Sequence, residues 1–237
     1  MNLLAFDTST EILSIALSSG PGAPVLEYTG AGGAQASAAL IPAIQSLLAQ
    51  AGLSLGDLGA IAFGRGPGSF TGLRTATAVA QGLGFGSGVP VLAIDTLLAV
   101  AEEAHALCGA TRVVAVLDAR MEEVYFASYE REDGRWLTRA GPALGRPADV
   151  QVLPGWTIAG NALEVHGARF PPDAARVAAW PTARALLRLA PAALAAGGEH
   201  DAAGALPLYI RDKVAQTTEE RAAERARKEL LRGQAAP

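Results

Sequence analysis

Three short apolar stretches open the chain, and turn-rich segments separate them. They predict β-strands at Asn2–Asp7, Glu11–Ser18 and Pro24–Thr29, because clusters of Gly, Pro, Ser and Thr between apolar runs mark the turns between strands. Three consecutive strands joined by short turns form an antiparallel meander. This meander is the first part of the predicted fold.

A segment with helical periodicity follows the meander. Between Ala36 and Ala51 apolar side chains recur at the spacing of one helix face, and Gly52 suits a left-handed helix cap. The chain then alternates between strands and helices, with a strand at Ala60–Phe63, a helix from Ser69 to Leu83, a strand at Val89–Ile94 and a connecting helix from Thr96 to Leu107.

The order of elements begins again at Arg112. We predict strands at Arg112–Leu117, Glu123–Tyr129, Arg135–Thr138 and Trp156–Ala159, and a helix from Thr182 to about Ala196. Near-continuous apolar strands need helices that cover their sheet, so the fold class is α/β. The sequence therefore predicts two similar lobes, at residues 1–98 and 99–212, followed by a charged tail at 213–237.

Composition and charge narrow the classes of function. The chain has 237 residues, of which 50% are hydrophobic, enough for one large core or two small ones. Its single cysteine, Cys108, cannot pair within the chain, which indicates a reducing cytoplasm. A net charge of −4 disfavours nucleic-acid binding through the overall field, and no apolar run is long enough for a membrane span. The tail mixes basic and acidic side chains, so it is either a solvated helix or a contact for a partner or RNA.

A glycine-rich loop lies between a predicted buried strand and a predicted helix. It runs from Gly64 to Gly72 and has four glycines within nine residues. The backbone N–H groups of such a loop, together with the positive end of the following helix, can hold a phosphate, for which Gly66, Gly68 and Ser69 are the candidate contacts. The loop matches neither the Walker A nor the G-x-G-x-x-G pattern. A tight turn with close helix packing is the alternative.

Two further motifs place polar side chains at the turns between strands. Asp7, Thr8 and Ser9 end the first strand, where they can position a γ-phosphate or a metal-bound water, or form a turn that satisfies its own backbone. Asp118 and Arg120 stand in the hairpin that opens the second half, facing the inter-lobe cleft if the halves are duplicated. They can bind a partner or a nucleotide, or simply form a local ion pair.

Residues for independent catalysis are scarce in this sequence. His105, His166 and His200 are scattered, and Cys108 has no activating neighbours along the chain. No pair of His or Cys has the spacing of a metal site. We expect neither nucleophilic catalysis nor a bound metal.

Taken together, these motifs resemble the TsaB (YeaZ) family. The resemblance rests on the turn Asp7–Thr10, the loop Gly64–Gly72, the hairpin Leu117–Tyr125 and the late segment Pro207–Arg211, and it extends to about Val214. It implies an actin-like ATPase fold (ASKHA, ribonuclease H-like) with two duplicated β-β-β-α-β-α lobes, and a cytoplasmic location without membrane association.

The resemblance also implies a non-catalytic function. Members of this family join the catalytic paralogue TsaD and the ATPase TsaE in the complex that makes N6-threonylcarbamoyladenosine in tRNA, so tRNA is expected only through the complex and a homodimer in isolation. The metal ligands of TsaD would fall on Thr96, Val100 and about Thr182, and its phosphate-loop glycines near Ala119 and Arg120. Thr and Val are poor ligands for iron or zinc. The chain is expected to have no cofactor of its own, with any ATP or ADP at the interface with its partners.

A docking face on the two first-lobe helices is the last implication of the resemblance. In the family these helices serve both self-dimerisation and the paralogue, and small residues allow close helix approach. The expected interface residues are Leu40, Ile44, Leu47, Gly72, Thr75, Ala76 and Ala80. Packing of these helices on their own sheet is the alternative, and opposite faces can serve both. Relatives often carry histidine near the start of the first helix, where this chain has Ala36.

Two other functions compete with the accessory subunit. An autonomous ATPase or small-molecule kinase of the same fold would bind MgATP at Asp7 and the glycine loop. A peptidase, which an old family label suggests, would need a nucleophile, a base and an orienting group, and the sequence offers no such set.

Overall fold

The computed structural model describes residues 1–20, 22–197 and 201–211, so the predicted tail lies outside the described residues. The ten strands of this part are β1 (Leu3–Asp7), β2 (Ile12–Ser18), β3 (Leu26–Ala31), β4 (Ala60–Gly66), β5 (Val91–Asp95), β6 (Arg112–Asp118), β7 (Val124–Glu132), β8 (Arg135–Gly145), β9 (Thr157–Ala159) and β10 (Ala175–Val177). Its five α-helices are α1 (Ala36–Ala51), α2 (Phe70–Ser87), α3 (Thr96–Cys108), α4 (Ala162–His166) and α5 (Ala183–Ala195).

The strands form two five-stranded sheets with the same topology. The first has the order β3-β2-β1-β4-β5 and the second, read in the same sense, β8-β7-β6-β9-β10. In each sheet a three-stranded antiparallel meander is extended by two strands parallel to its first strand. The predicted α/β class and the actin-like, ribonuclease H-like fold are confirmed.

The second lobe departs from the predicted repeat between β8 and β9. This part of the chain forms one short 3-10 turn, at Pro147–Asp149, where the first lobe has α1. Repeated Pro and Gly in the segment remove backbone donors and helical propensity, which explains the missing helix. The sequence reasoning also missed α4 and β10, which are too short to show a period.

The first sheet is covered on both faces. Leu4 and Phe6 of β1 point to the face where α1 and α2 pack, and the alternating residues Leu3 and Ala5 point to the face covered by α5. This alternation is the two-residue period of a strand. Within the described residues, every helix falls short of the length and apolar character that crossing a bilayer requires.

Most of the predicted interface residues on α1 and α2 are buried, which corrects the prediction that they contact a partner. Those that face the protein's own sheet and are buried in the core are Leu40, Ile44, Leu47, Gly72, Ala76 and Ala80. Thr75 alone of the expected set is half-buried. An apolar stripe on an amphipathic helix marks the side that faces the core, so these side chains are not available to a partner.

Helix α5 connects the two lobes. It belongs to the second half of the sequence but packs on the first sheet, where Ser14 Oγ accepts a hydrogen bond from Ala183 N–H at 2.9 Å. Arg188 of α5 pairs with Glu102 of α3 at 2.8 Å, and Trp136 Nε1 of β8 donates to the same carboxylate at 2.8 Å. The predicted division at residues 98/99 thus places the two sheets in different lobes. Helix α5, however, lies in the predicted second lobe and packs on the sheet of the first.

Candidate functional site: the inter-lobe cleft

Asp7 ends β1 with a fully buried carboxylate. Its Oδ1 accepts hydrogen bonds from the backbone N–H of Ser9 at 2.8 Å and from Ser9 Oγ at 2.6 Å. Its Oδ2 accepts one from Thr96 Oγ1 at 3.3 Å. The motif therefore has the self-satisfied turn geometry that was the alternative to phosphate contact.

Burial also changes the acidity of this side chain. It raises the pKa of Asp7 to about 6, because the interior disfavours the charged carboxylate. The hydrogen bonds from Ser9 and Thr96 oppose the shift without cancelling it. Asp7 therefore takes up a proton at a higher pH than an ordinary aspartate does.

The glycine loop packs directly on this turn. A Cβ at Gly64 would collide with the carboxylate of Asp7, and a Cβ at Gly68 would come within 2.5 Å of the carbonyl oxygen of Ser9. The same carbonyl accepts a hydrogen bond from the Ser69 N–H at 2.7 Å. The loop glycines therefore allow two backbone segments to approach closely.

The start of α2 is held in the same way. Thr8 Oγ1 donates to the carbonyl of Gly72 at 2.7 Å, and a Cβ at Gly72 would collide with the Thr8 carbonyl. Gly66 has a φ of +116° and donates its N–H to Thr96 Oγ1 at 3.1 Å. These contacts leave Asp7, Thr8 and Gly66 buried behind the surface.

Three positions that the resemblance aligns with metal ligands of TsaD have structural roles. Thr96 is fully buried and bridges Asp7 to the loop through the two hydrogen bonds above. Val100 is fully buried in the apolar core between α3 and the second sheet. Thr182 caps α5, accepting from the N–H of Ala185 at 3.1 Å. Among the described residues, no group of three or more His, Cys, Asp or Glu side chains could hold a metal.

A cleft with a volume of about 350 Å³ lies between the lobes. Of the predicted site residues, those that line it are Ser9, Gly68, Ser69, Asp118 and Arg120. The three motifs thus meet at one site, as expected for duplicated lobes. Phe70, Tyr125 and Tyr209 also line the cleft, and they lie within the motifs of the resemblance although the sequence did not predict them as site residues. Asn161, a further lining residue, lies outside all of these motifs.

The second-lobe wall is built around Asp118, the last residue of β6. Its Oδ1 lies 3.1 Å from Nε2 of the buried His166 and accepts a hydrogen bond from the Arg120 N–H at 3.1 Å. Its Oδ2 pairs with the Arg120 guanidinium at 3.3 Å, which is the local ion pair considered from the sequence. Asn161 Oδ1 accepts from the Asp118 N–H at 3.0 Å. His166 and Asn161 lie far from Asp118 in sequence, and only the parallel pairing of β6 with β9 brings them together.

The turn after Asp118 has an unusual backbone. Arg120, Met121 and Glu122 have φ values of 61°, 55° and 63°. Three consecutive non-glycine residues in the left-handed region carry a conformational cost of roughly 1 kcal/mol or more each. The tip of this turn is exposed, since Met121 retains 57% of its accessible surface.

Comparisons with known proteins agree with this architecture. The family model described as TsaD: tRNA N6-adenosine threonylcarbamoyltransferase matches residues 32–232. The chain is similar to the tRNA threonylcarbamoyladenosine biosynthesis protein TsaB of Escherichia coli K12, with 35% identity over 230 residues that cover 91% of this chain and 96% of that protein. It is 46% identical to the TsaB of Haemophilus influenzae over 136 residues, 57% of this chain and 56% of that protein.

A solved structure shows the same similarity in three dimensions. YeaZ from Pseudomonas aeruginosa superimposes with a TM-score of 0.81 at 39% identity, covering 88% of this chain and 99% of that one. The family model spans most of the sequence, and the Escherichia coli relative is matched along nearly its whole length. The chain therefore belongs to the TsaB (YeaZ) family.

Proposed function

We propose that this chain is a non-catalytic subunit for the synthesis of N6-threonylcarbamoyladenosine in tRNA, which scaffolds and activates TsaD together with TsaE. The names of its relatives support the pathway. The side chains of Thr96, Val100 and Thr182 carry the non-catalytic part of the proposal. These positions align with the metal ligands of TsaD. Here Thr96 forms a buried hydrogen bond to Asp7, Val100 packs in the apolar core, and Thr182 caps α5.

The proposed partners rest on the relatives that carry the TsaB name. The chain forms a homodimer in isolation and exchanges it for a heterodimer with TsaD in the cytoplasm. It meets tRNA only within the complex, in keeping with its net charge of −4. Any ATP or ADP lies at the interface with the partners, and the chain has no cofactor of its own.

The docking face consists of the outward sides of α1 and α2. These adjacent helices expose Ile41 at 44% and Phe85 at 68% of their accessible surfaces, and Ala78 and Gly82 of α2 are also exposed. Exposed apolar side chains between small residues suit a helix-to-helix contact. We expect Ile41→Glu and Phe85→Glu to yield monomers in analytical ultracentrifugation and to weaken TsaD binding. Leu107→Glu, which alters a similarly exposed residue on α3, should leave both unchanged.

Reconstitution tests the function itself. Purified TsaD, TsaE, tRNA and threonylcarbamoyl-adenylate are combined with and without this chain, and the modified nucleoside is quantified. We expect product only when the chain is present. An equal yield without it would contradict the proposal.

One observation favours a second candidate, an autonomous ATPase or small-molecule kinase. The volume of the cleft, about 350 Å³, is that of a small-molecule site, and Ser9, Gly68 and Ser69 line it. Asp7 argues against this reading, because its carboxylate is buried behind the cleft wall. ATP turnover by the purified chain alone, lost in Ser9→Ala, would favour the enzyme over the accessory subunit.

A further inference from the structure

The segment Leu206–Arg211, here called the strap, contacts both lobes at the cleft. Four of its residues, Leu208 to Arg211, contribute to the lining. The strap follows α5 in sequence and belongs to no helix or strand. Its position therefore depends entirely on the contacts that it makes.

The first end of the strap is attached to the glycine loop and α2. The Leu208 N–H donates to the carbonyl of Arg65 at 2.7 Å. The Tyr209 ring packs on Phe70 with their centroids 5.5 Å apart, and Arg74 Nε donates to the Tyr209 hydroxyl at 3.2 Å. The guanidinium of Arg74 also lies 3.9 Å from the centroid of the Phe70 ring. These contacts all belong to the first lobe.

The other end of the strap is attached to the second lobe by Arg211. Its guanidinium pairs with Glu123 at 2.8 Å and donates to the carbonyl of Ala119 at 3.0 Å. The Arg211 side chain is only 16% exposed, so this charge-assisted contact is partly shielded from water. Ala119 and Glu123 flank the left-handed turn, so Arg211 holds the two ends of that strained segment.

Two lobes around a cleft can rotate when they are joined at one place only. Here α3 and α5 already join the lobes outside the cleft lining, through Arg188, Glu102 and Trp136. The strap adds a second connection at the cleft itself. We propose that the strap locks the cleft at one opening, with Arg211 as its anchor on the second lobe. This inference goes beyond the proposed function and does not depend on it.

Double electron–electron resonance measures the distance between two spin labels, and the width of the distance distribution tests the lock. The exposed Cys108 is replaced by Ser, and labels are attached at Thr71→Cys on the first lobe and Val165→Cys on the second, both exposed. The labelled protein is diluted with unlabelled protein so that only distances within one chain are recorded. We expect one narrow distribution for the parent, and a broadened or shifted one for Arg211→Ala.

A second variant and a matched control complete the experiment. Leu208→Pro removes the N–H that bonds Arg65 and should broaden the distribution as Arg211→Ala does. Arg146→Ala, which removes an exposed arginine paired with Asp149, should not. If Arg211→Ala does not fold, Arg211→Lys replaces it, because lysine lacks the guanidinium fork that places one nitrogen on Glu123 and the other on the Ala119 carbonyl.

Hydrogen exchange provides an independent readout of the same contact. In Arg211→Ala the Leu208 amide should exchange about tenfold faster, while that of Gly109, bonded to His105 outside the strap, stays unchanged. Distance distributions and Leu208 exchange that match the parent in the folded Arg211 variant would overturn the lock. The same holds if Leu208→Pro retains the parent's narrow distribution.

Discussion

Asp7 and Asp118 occupy equivalent positions in the two lobes and have opposite surroundings. Each is the last residue of the first strand of its sheet, β1 or β6. The partners of Asp7 are uncharged hydroxyl and amide groups, and its pKa is raised. Asp118 instead has the Arg120 guanidinium and the His166 ring beside it.

The difference shows how a duplicated fold can divide its roles. On the first-lobe wall the polar groups satisfy one another and lock two backbone segments together. On the second-lobe wall the backbone is strained and presents Arg120 and Met121 to solvent. The first motif thus holds the Asp7 turn against the glycine loop, whereas the second presents an exposed turn beside the cleft.

The largest expected effect comes from Gly64→Ala. The added Cβ would meet the carboxylate of Asp7 and come within 3.1 Å of Thr96 Oγ1 in a fully packed site. Overpacking of this kind should lower the unfolding free energy by about 3 kcal/mol or more in urea denaturation.

Gly86→Ala in α2 is the matched control. Its Cβ meets nothing within 4 Å, so helix propensity should stabilise it by roughly 0.5–1 kcal/mol. Equal stability of the two variants would contradict close packing at Gly64.

The pH dependence of stability tests the raised pKa of Asp7. Its pKa is about 6 in the folded protein and 3.8 in the unfolded chain. The protonated carboxyl therefore stabilises the folded state fully below pH 3.8, and this contribution is lost as pH rises through 6. The loss is about 3 kcal/mol. Relative to Asp7→Asn, the parent should therefore lose unfolding free energy across this window.

Asp57 provides a control of opposite sign. Hydrogen bonds from Ser54 lower the pKa of Asp57, so its contribution is present above pH 3.8 and lost as pH falls below it. The parent should gain stability over Asp57→Asn as pH rises. If the stability difference between parent and variant changes with pH in the same direction for Asp7→Asn and Asp57→Asn, the environment assigned to Asp7 is wrong.

Thr96→Val should have an intermediate effect. It deprives the Asp7 carboxylate of a donor and the Gly66 N–H of its acceptor, at a cost of about 2 kcal/mol in unfolding free energy. Loss of that donor should also raise the pKa of Asp7 further and move the pH window upward. Thr96→Ser keeps the hydroxyl and should behave like the parent in both measurements. A Val variant with unchanged stability and pH profile would remove Thr96 from this network.

Much of the fold could be predicted because its signals are local. The bounds of α1 agree with the sequence prediction, since its periodicity is regular and Gly52 ends it with a φ of 66°. The interface prediction depended on the family resemblance and on residue size, neither of which tells which side of a helix faces the sheet. Leu40 and Ala76 lie on the buried side of α1 and α2, whereas Ile41 and Phe85 are exposed.

The candidate site was only partly predictable, because its contacts are distant in sequence. The turn at Asp7 and the glycine loop each have a local pattern, but their packing on one another depends on the parallel pairing of β1 with β4. His166 has no local signal at all, since its role arises only when β6 and β9 pair. The strain of the turn is equally hidden, because Arg120, Met121 and Glu122 are ordinary residues for a right-handed backbone.

Glu122→Gly is the smallest and sharpest test of that strain. Glycine adopts a φ of 63° without the steric cost of a Cβ, which is worth about 1 kcal/mol. The substitution also loses an exposed ion pair with Arg169 and increases the entropy of the unfolded chain. We expect the gain and the two losses nearly to cancel, so the unfolding free energy should change by less than about 0.5 kcal/mol, and Arg169→Ala is measured beside it to separate the ion pair. Gly134→Ala, at a φ of 78° in the turn between β7 and β8, should lose about 1 kcal/mol for the same steric reason. A loss in Glu122→Gly larger than that in Arg169→Ala would mean that the turn is relaxed, and that the contrast between the two walls lies in their charges alone.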